Sequence, residues 1–79
     1  MTDPRQEIDF ELRGDFIALD ALLKATGLAA SGGLAKAVVA EGQVQVDGRT
    51  ELRKTCKIRA GQVVAVAGVH IRMLAGPAP

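Results

Sequence analysis

Arg49, Arg53, Lys54, Lys57 and Arg59 fall within eleven consecutive positions of a 79-residue chain that holds ten basic residues in all. Glu51 alone opposes them, so residues 49–59 carry a local charge of +4 while the whole chain carries +1. Such a stripe can hold polyanion phosphates through charge-assisted contacts. The plain alternative is a solvated loop kept polar for solubility. The compensating charge lies at the other end, where residues 1–23 hold six acids against two bases, a local charge of −4. A near-neutral total therefore conceals a polarised molecule.

Other side chains with chemical potential lack partners. His70 is the sole histidine and has no ligand or triad partner nearby in sequence, so it reads as an ordinary strand residue. Cys56 is the sole cysteine. Its basic neighbours would lower its pKa, but with no base at hand it reads as a small, partly buried side chain. No intrachain disulfide is possible, which suits a reducing cytoplasm. Gly32 and Gly33 lack the spacing and the Lys-Ser/Thr ending of a phosphate loop. No catalytic residue, metal site or cofactor is expected, and the chain is read as a non-enzyme.

The elements that must carry the basic stripe emerge from periodicity. Residues 1–5 are expected to be disordered. Residues 7–13 alternate polar and apolar, which predicts a strand with Ile8, Phe10 and Leu12 on one face. Ile17, Leu19, Leu22 and Leu23 predict a helix over 17–26, which Asp15 can cap and Gly27 stops. Ser31 is a natural N-cap for a second helix to about Glu41, with Leu34, Ala35, Val38 and Val39 as its apolar stripe. Residues 43–46 alternate again before the tight-turn pair Asp47 and Gly48. The basic segment is expected to be irregular, with strands over 62–66 and 69–73 after it and a loose tail over 76–79. These elements give an α+β fold, with two short antiparallel helices packed on a small, mostly antiparallel sheet. Residues 6–75 are expected to form a single domain.

Size and composition narrow the function. A chain this short buries about 60% of its surface and has little room for a deep catalytic cleft. The acidic, polar N-terminus does not resemble a signal peptide, and no apolar run approaches the roughly 20 residues of a membrane span. With two Phe and no Trp or Tyr, the chain is poorly equipped to stack bases. Binding of nucleic acid would rest on backbone and shape. The helix pair resembles a helix-turn-helix, but Ser31, Gly32, Gly33, Leu34 and Ala35 offer nothing long enough for a base edge. That helix start suits a phosphate instead, with Lys36 one turn on. Equally, Gly32 and Gly33 could serve close helix packing.

Leu19-Asp20-Ala21-Leu22-Leu23-Lys24, Gly27-Leu28, Ser31, Ala35-Lys36 and Gly42-Gln43-Val44-Gln45-Val46-Asp47-Gly48 keep one order and spacing. Together with Ala60-Gly61-Gln62 they resemble the RNA-binding domain named after ribosomal small-subunit protein S4, over about residues 17–67. The likeness is greatest to its small stand-alone bacterial group called YbcJ-like, which shares the extra first strand. The resemblance implies a cytoplasmic RNA-binding domain, monomeric and without membrane or metal partners. Its target would be structured RNA, with ribosomal or transfer RNA suggested by family analogy. The family often has Arg where this chain has Gly32, and Arg where it has Lys36. RNA contact is therefore expected to move from the helix start towards Arg53, Lys54 and Lys57. Lys24, Ser31, Gly32 and Lys36 would form one end of the site. A protein-interaction module gripping an acidic partner is the alternative.

Overall fold

The computed structural model of the chain describes residues 6–76. The chain runs through β1 (Gln6–Leu12), β2 (Ile17–Ala18), α1 (Leu19–Ala25) and α2 (Gly32–Ala40). It continues through β3 (Val44–Val46), β4 (Arg49–Thr50), β5 (Lys57–Ile58), β6 (Val63–Val66) and β7 (Val69–Ala75). This is the expected α+β arrangement of two helices on a mostly antiparallel sheet. The expectations for residues 1–5 and 77–79 lie outside the described residues.

The main sheet has the strand order β1-β7-β6-β3-β4, and β2 pairs separately with β5. Within the main sheet β1 alone pairs in parallel, in register with β7 from Gln6↔Val69 to Leu12↔Ala75. Period-two alternation sends Val44, Val46, Val64, Val66, Val69, Ile71 and Met73 into one core with Leu12. The helices contribute Leu19, Leu22, Leu23, Ala35 and Val39. Ile8 and Phe10 pack against the same cluster, so β1 closes the sheet rather than trailing from it. Each large side chain buried this way stabilises the fold by about 1.5–3 kcal/mol. At the far end of the β1–β7 ladder, a Cβ on Gly76 would overlap the Leu12 carbonyl oxygen, so the chain passes there only as glycine.

The hairpin between β3 and β4 turns through Asp47 (φ 52°) and Gly48 (φ 83°). Two successive left-handed residues match the right-handed twist of the strands they join. The Asp47 carboxylate also accepts from the Val63 N–H at 3.0 Å, locking the turn to β6.

Four local expectations are corrected. The first helix begins at Leu19, because Ile17 and Ala18 are drawn into a ladder with β5. Asp15 does not cap it, since the N-cap position is Ala18 and carries no side-chain cap bond. Leu34 stands 48% exposed instead of joining the buried stripe, because α2 turns Ala35 and Val39 to the core and Leu34 lies off that line. The basic segment is not wholly irregular, for β4 and β5 lie within it.

Candidate nucleic-acid interface

The basic segment is fastened to the start of α1 by its backbone. Leu19 N–H donates to the Cys56 carbonyl at 2.9 Å, and Asp20 N–H donates to the Lys54 carbonyl at 3.0 Å. These are N–H groups that the first turn of any helix leaves without an internal partner. The β2–β5 ladder adds a third tie, with Ile58 fully buried beneath it. Cys56 packs against the same core. Arg53, Lys54 and Lys57 are exposed, so the loop presents cations from a backbone that is already ordered. Arg49, Arg53 and Lys57 also border a common cleft of about 500 Å³, together with Asp47, Glu51 and Gln62.

Glu51 is more than a subtracted charge. Its carboxylate accepts from Arg53 Nε at 3.0 Å, from Arg53 Nη2 at 3.3 Å and from the Arg53 backbone N–H at 3.0 Å. This bidentate grip is the geometry for which guanidinium is suited. The Arg53 side chain and then its backbone N–H hold the Glu51 carboxyl down at about 2. Arg53 is raised in turn by the same bonds. Its side chain nevertheless remains 79% exposed.

Cys56 is the small, partly buried side chain expected, but the expected direction of its pKa shift is reversed. Burial pushes Cys56 above its ordinary value, the Glu51 carboxylate adds to this, and Arg53 only partly opposes it. Partial burial beside a carboxylate thus outweighs the basic neighbours, and the thiol is less ready to ionise than an exposed one.

The second group of predicted residues sits elsewhere. Ser31 caps α2 as expected, its Oγ accepting from Leu34 N–H at 3.1 Å. A Cβ on Gly32 would meet open space, and one on Gly33 would come no nearer than 3.9 Å to the Ser31 hydroxyl. Close helix packing therefore does not require either glycine. Lys24 and Lys36 are both exposed. Lys24 and Ser31 flank the linker between the helices, whereas the 53–57 loop is bonded to the opposite end of α1. The seven residues of α1, at about 1.5 Å rise, set its two ends roughly 10 Å apart. The predicted residues thus make two stations rather than one patch.

Phe16 and Arg59 do not stand out as site residues in the sequence. The antiparallel register pairs Ile17 with Ile58 and Ala18 with Lys57. Just beyond the ladder, Phe16 precedes Ile17 and Arg59 follows Ile58. With Ile58 turned inward, Lys57 and Arg59 share the outward side. Lys57 Nζ lies 4.9 Å and Arg59 Cζ 5.8 Å from the centroid of the Phe16 ring. The usable signal is alternation in Lys57-Ile58-Arg59, too short to be distinct within a basic run.

The acidic pole lies at the sheet edge. Glu7, Asp9 and Glu11 are exposed on β1, and Asp9 accepts from Arg72 Nε of β7 at 2.8 Å. Long edge strands are commonly guarded by charge in this way.

Three comparisons bear on the arrangement. The S4 domain family matches residues 10–74. "Putative RNA-binding protein YbcJ" of Escherichia coli (strain K12) is 51% identical over 59 residues, covering 75% of this chain and 84% of that protein. "Uncharacterized protein YbcJ" of Shigella flexneri matches to the same extent. A solution structure of YbcJ from E. coli is similar in fold, with a TM-score of 0.70 and 42% identity. That match covers 95% of this chain and 96% of the solved one, which is described as revealing an ALFAL motif involved in RNA-binding.

Proposed function

The chain belongs to the S4 domain family, and from that premise we propose that it is a non-enzymatic RNA-binding protein of the cytoplasm. Residues 6–75 act as one RNA-binding domain. Arg53, Lys54 and Lys57 contact phosphates of structured RNA, with ribosomal and transfer RNA as the candidate targets. Lys24, Lys36 and the Ser31–Gly32 helix start form a second, weaker station on the same RNA.

The observation that carries this reading is the tethered loop. Its backbone carbonyls are bonded to the start of α1 at 2.9 and 3.0 Å while its cations face outward. Little backbone freedom is then lost when the loop meets a phosphate. Outward cations that meet phosphates suit recognition of an RNA helix by backbone and shape. The relatives named for RNA binding support the same class of ligand.

The test is a titration of folded RNA at several salt concentrations. With about three to five phosphate contacts and a slope of roughly 0.7–0.9 for each, log affinity should fall by about 2 to 4.5 per tenfold rise in salt. Poly-pyrimidine single strands should bind less tightly than the folded RNA. A flat salt response, or the reverse preference, would count against a phosphate-contacting interface.

A further inference from the structure

We propose that Phe16, with Lys57 and Arg59 against its ring, is a subsite for one unpaired nucleotide at the border of the RNA held by the basic loop. The proposal deepens the RNA-binding reading and rests on it.

Phe16 is 42% exposed, although it is one of only two aromatic residues in the chain. A large apolar ring kept at the surface between cations is poorly explained by packing alone. The β2–β5 ladder sets up this arrangement, because it pairs the partly buried Ile17 with the fully buried Ile58, and the exposed Phe16, Lys57 and Arg59 flank that pair in sequence and meet at the ring. Cations within about 6 Å of a ring centroid are attracted to its π-face. They are also the groups that would grip a phosphate.

The surroundings orient the nucleotide. A groove of about 420 Å³ opens beside the ring, lined by Phe10, Leu12 and Ile17 and by the charged Asp9, Glu11 and Arg13. Neither Lys57 nor Arg59 lines it. The groove mixes Asp9, which Arg72 neutralises, and Glu11 with Arg13, whereas Lys57 and Arg59 are unopposed at the ring, so the phosphate belongs with Lys57 and Arg59. The base then points towards the groove, where apolar side chains and the Phe16 ring offer a stacking surface. Bases of single-stranded RNA stack on aromatic rings in this manner, and RNA helices bordered by unpaired nucleotides expose such bases. The subsite supplies what backbone contacts cannot, a preference for the junction of a helix with an unpaired residue.

The probes are a blunt RNA hairpin and the same hairpin extended by a few unpaired adenosines. The parent should bind the extended hairpin more tightly. Phe16→Ala should lose about 5- to 160-fold on the extended hairpin, the range for one stacked base, and leave the blunt hairpin unchanged. Phe16→Leu, apolar but without a π-face, should behave like Phe16→Ala. Phe16→Trp should retain the preference. Because the chain has no other Trp or Tyr, its emission should be quenched by the extended hairpin and not by the blunt one. Equal binding by parent and Phe16→Ala on both RNAs overturns the subsite. So does an equal loss on both, which would mean that the ring merely props the loop. Absence of quenching in a Phe16→Trp protein that still binds overturns it independently. A parent that binds neither hairpin overturns the RNA reading itself, and the subsite with it.

Discussion

The two cationic stations differ in what holds their charge in place. At the helix-linker end, Lys24 and Lys36 project from regular helix as long, separate side chains. Ser31 is occupied by its own helix, since its hydroxyl accepts from Leu34 N–H and its carbonyl from Ala35 N–H. In the loop, the backbone is tied to α1 and β2, and Arg53 is gripped by Glu51. The helix end offers independent charges of high conformational freedom. The loop offers a denser set on an ordered backbone, with the Arg53 guanidinium already held. Because ordering a long side chain costs about 1.5–2 kcal/mol in rotamer freedom, the loop should contribute more affinity per cation.

Charge reversal in the loop tests that ranking most severely. Arg53→Glu with Lys54→Glu takes residues 49–59 from +4 to zero. Both side chains are exposed and neither belongs to the core, so the fold should survive. RNA affinity should fall by more than about 100-fold, since lost phosphate contacts are replaced by repulsion. A binding titration beside a circular-dichroism melt separates the two effects. Undiminished binding would reduce the loop to a solvated segment and make the helix end the principal station. An unfolded variant would instead show that these residues serve the fold.

The helix end should respond more weakly. Lys36→Ala removes one flexible cation and should weaken RNA binding by about 3- to 10-fold, similarly for every RNA tested, because phosphate contacts carry no sequence information. Ser31→Ala removes the cap of α2 and should lower stability by about 1 kcal/mol, with a loss of RNA affinity no larger than that of Lys36→Ala. A Lys36→Ala loss as large as that of the double reversal would erase the ranking of the two stations.

The two stations are legible in the sequence in unequal measure. The helix end can be read almost in full, because Ser31 and Gly27 are local signals acting within a turn or two. Gly27 indeed takes a left-handed φ of 78°. Ser31 caps as expected. The core faces of β3, β6 and β7 are equally accessible through alternation. The loop is legible only as charge. Its two-residue strands are shorter than any periodic window, and the partner of β5, Ile17–Ala18, lies inside an apparent helical pattern. A ladder joining residues 39 and 41 positions apart is a product of tertiary packing, not of local propensity. The same holds for Phe16, whose cation neighbours come from that ladder, and for Cys56, whose raised pKa reflects burial and Glu51. The parallel pairing of β1 with β7 is also beyond a strand-by-strand reading, for alternation fixes which face is buried but not which neighbour is taken.

The smallest effect concerns Glu51, where order and charge oppose each other. Glu51 fixes the Arg53 fork and, by the same bonds, offsets its charge. Glu51→Gln keeps a carbonyl oxygen able to accept from the Arg53 backbone N–H but removes the negative charge. RNA affinity should rise by about 2- to 3-fold. The salt dependence should steepen by roughly 0.7–0.9, one further phosphate contact, if the released guanidinium turns to the RNA. A weaker, not tighter, variant would show that holding the guanidinium in place matters more than freeing it, which would strengthen the contrast with the helix end. The pH dependence gives a second readout of the same pair. The folded-state pKa of Glu51 is depressed from 4.5 to about 2, so its contribution to stability is fully present above about pH 4.5 and is lost as pH falls towards 2. Parent and Glu51→Gln should therefore differ most above pH 4.5, and their melting curves should converge as the pH is lowered through that window. A difference that stays constant from pH 6 to 2 would mean that the Arg53–Glu51 pair contributes nothing to stability through its charge.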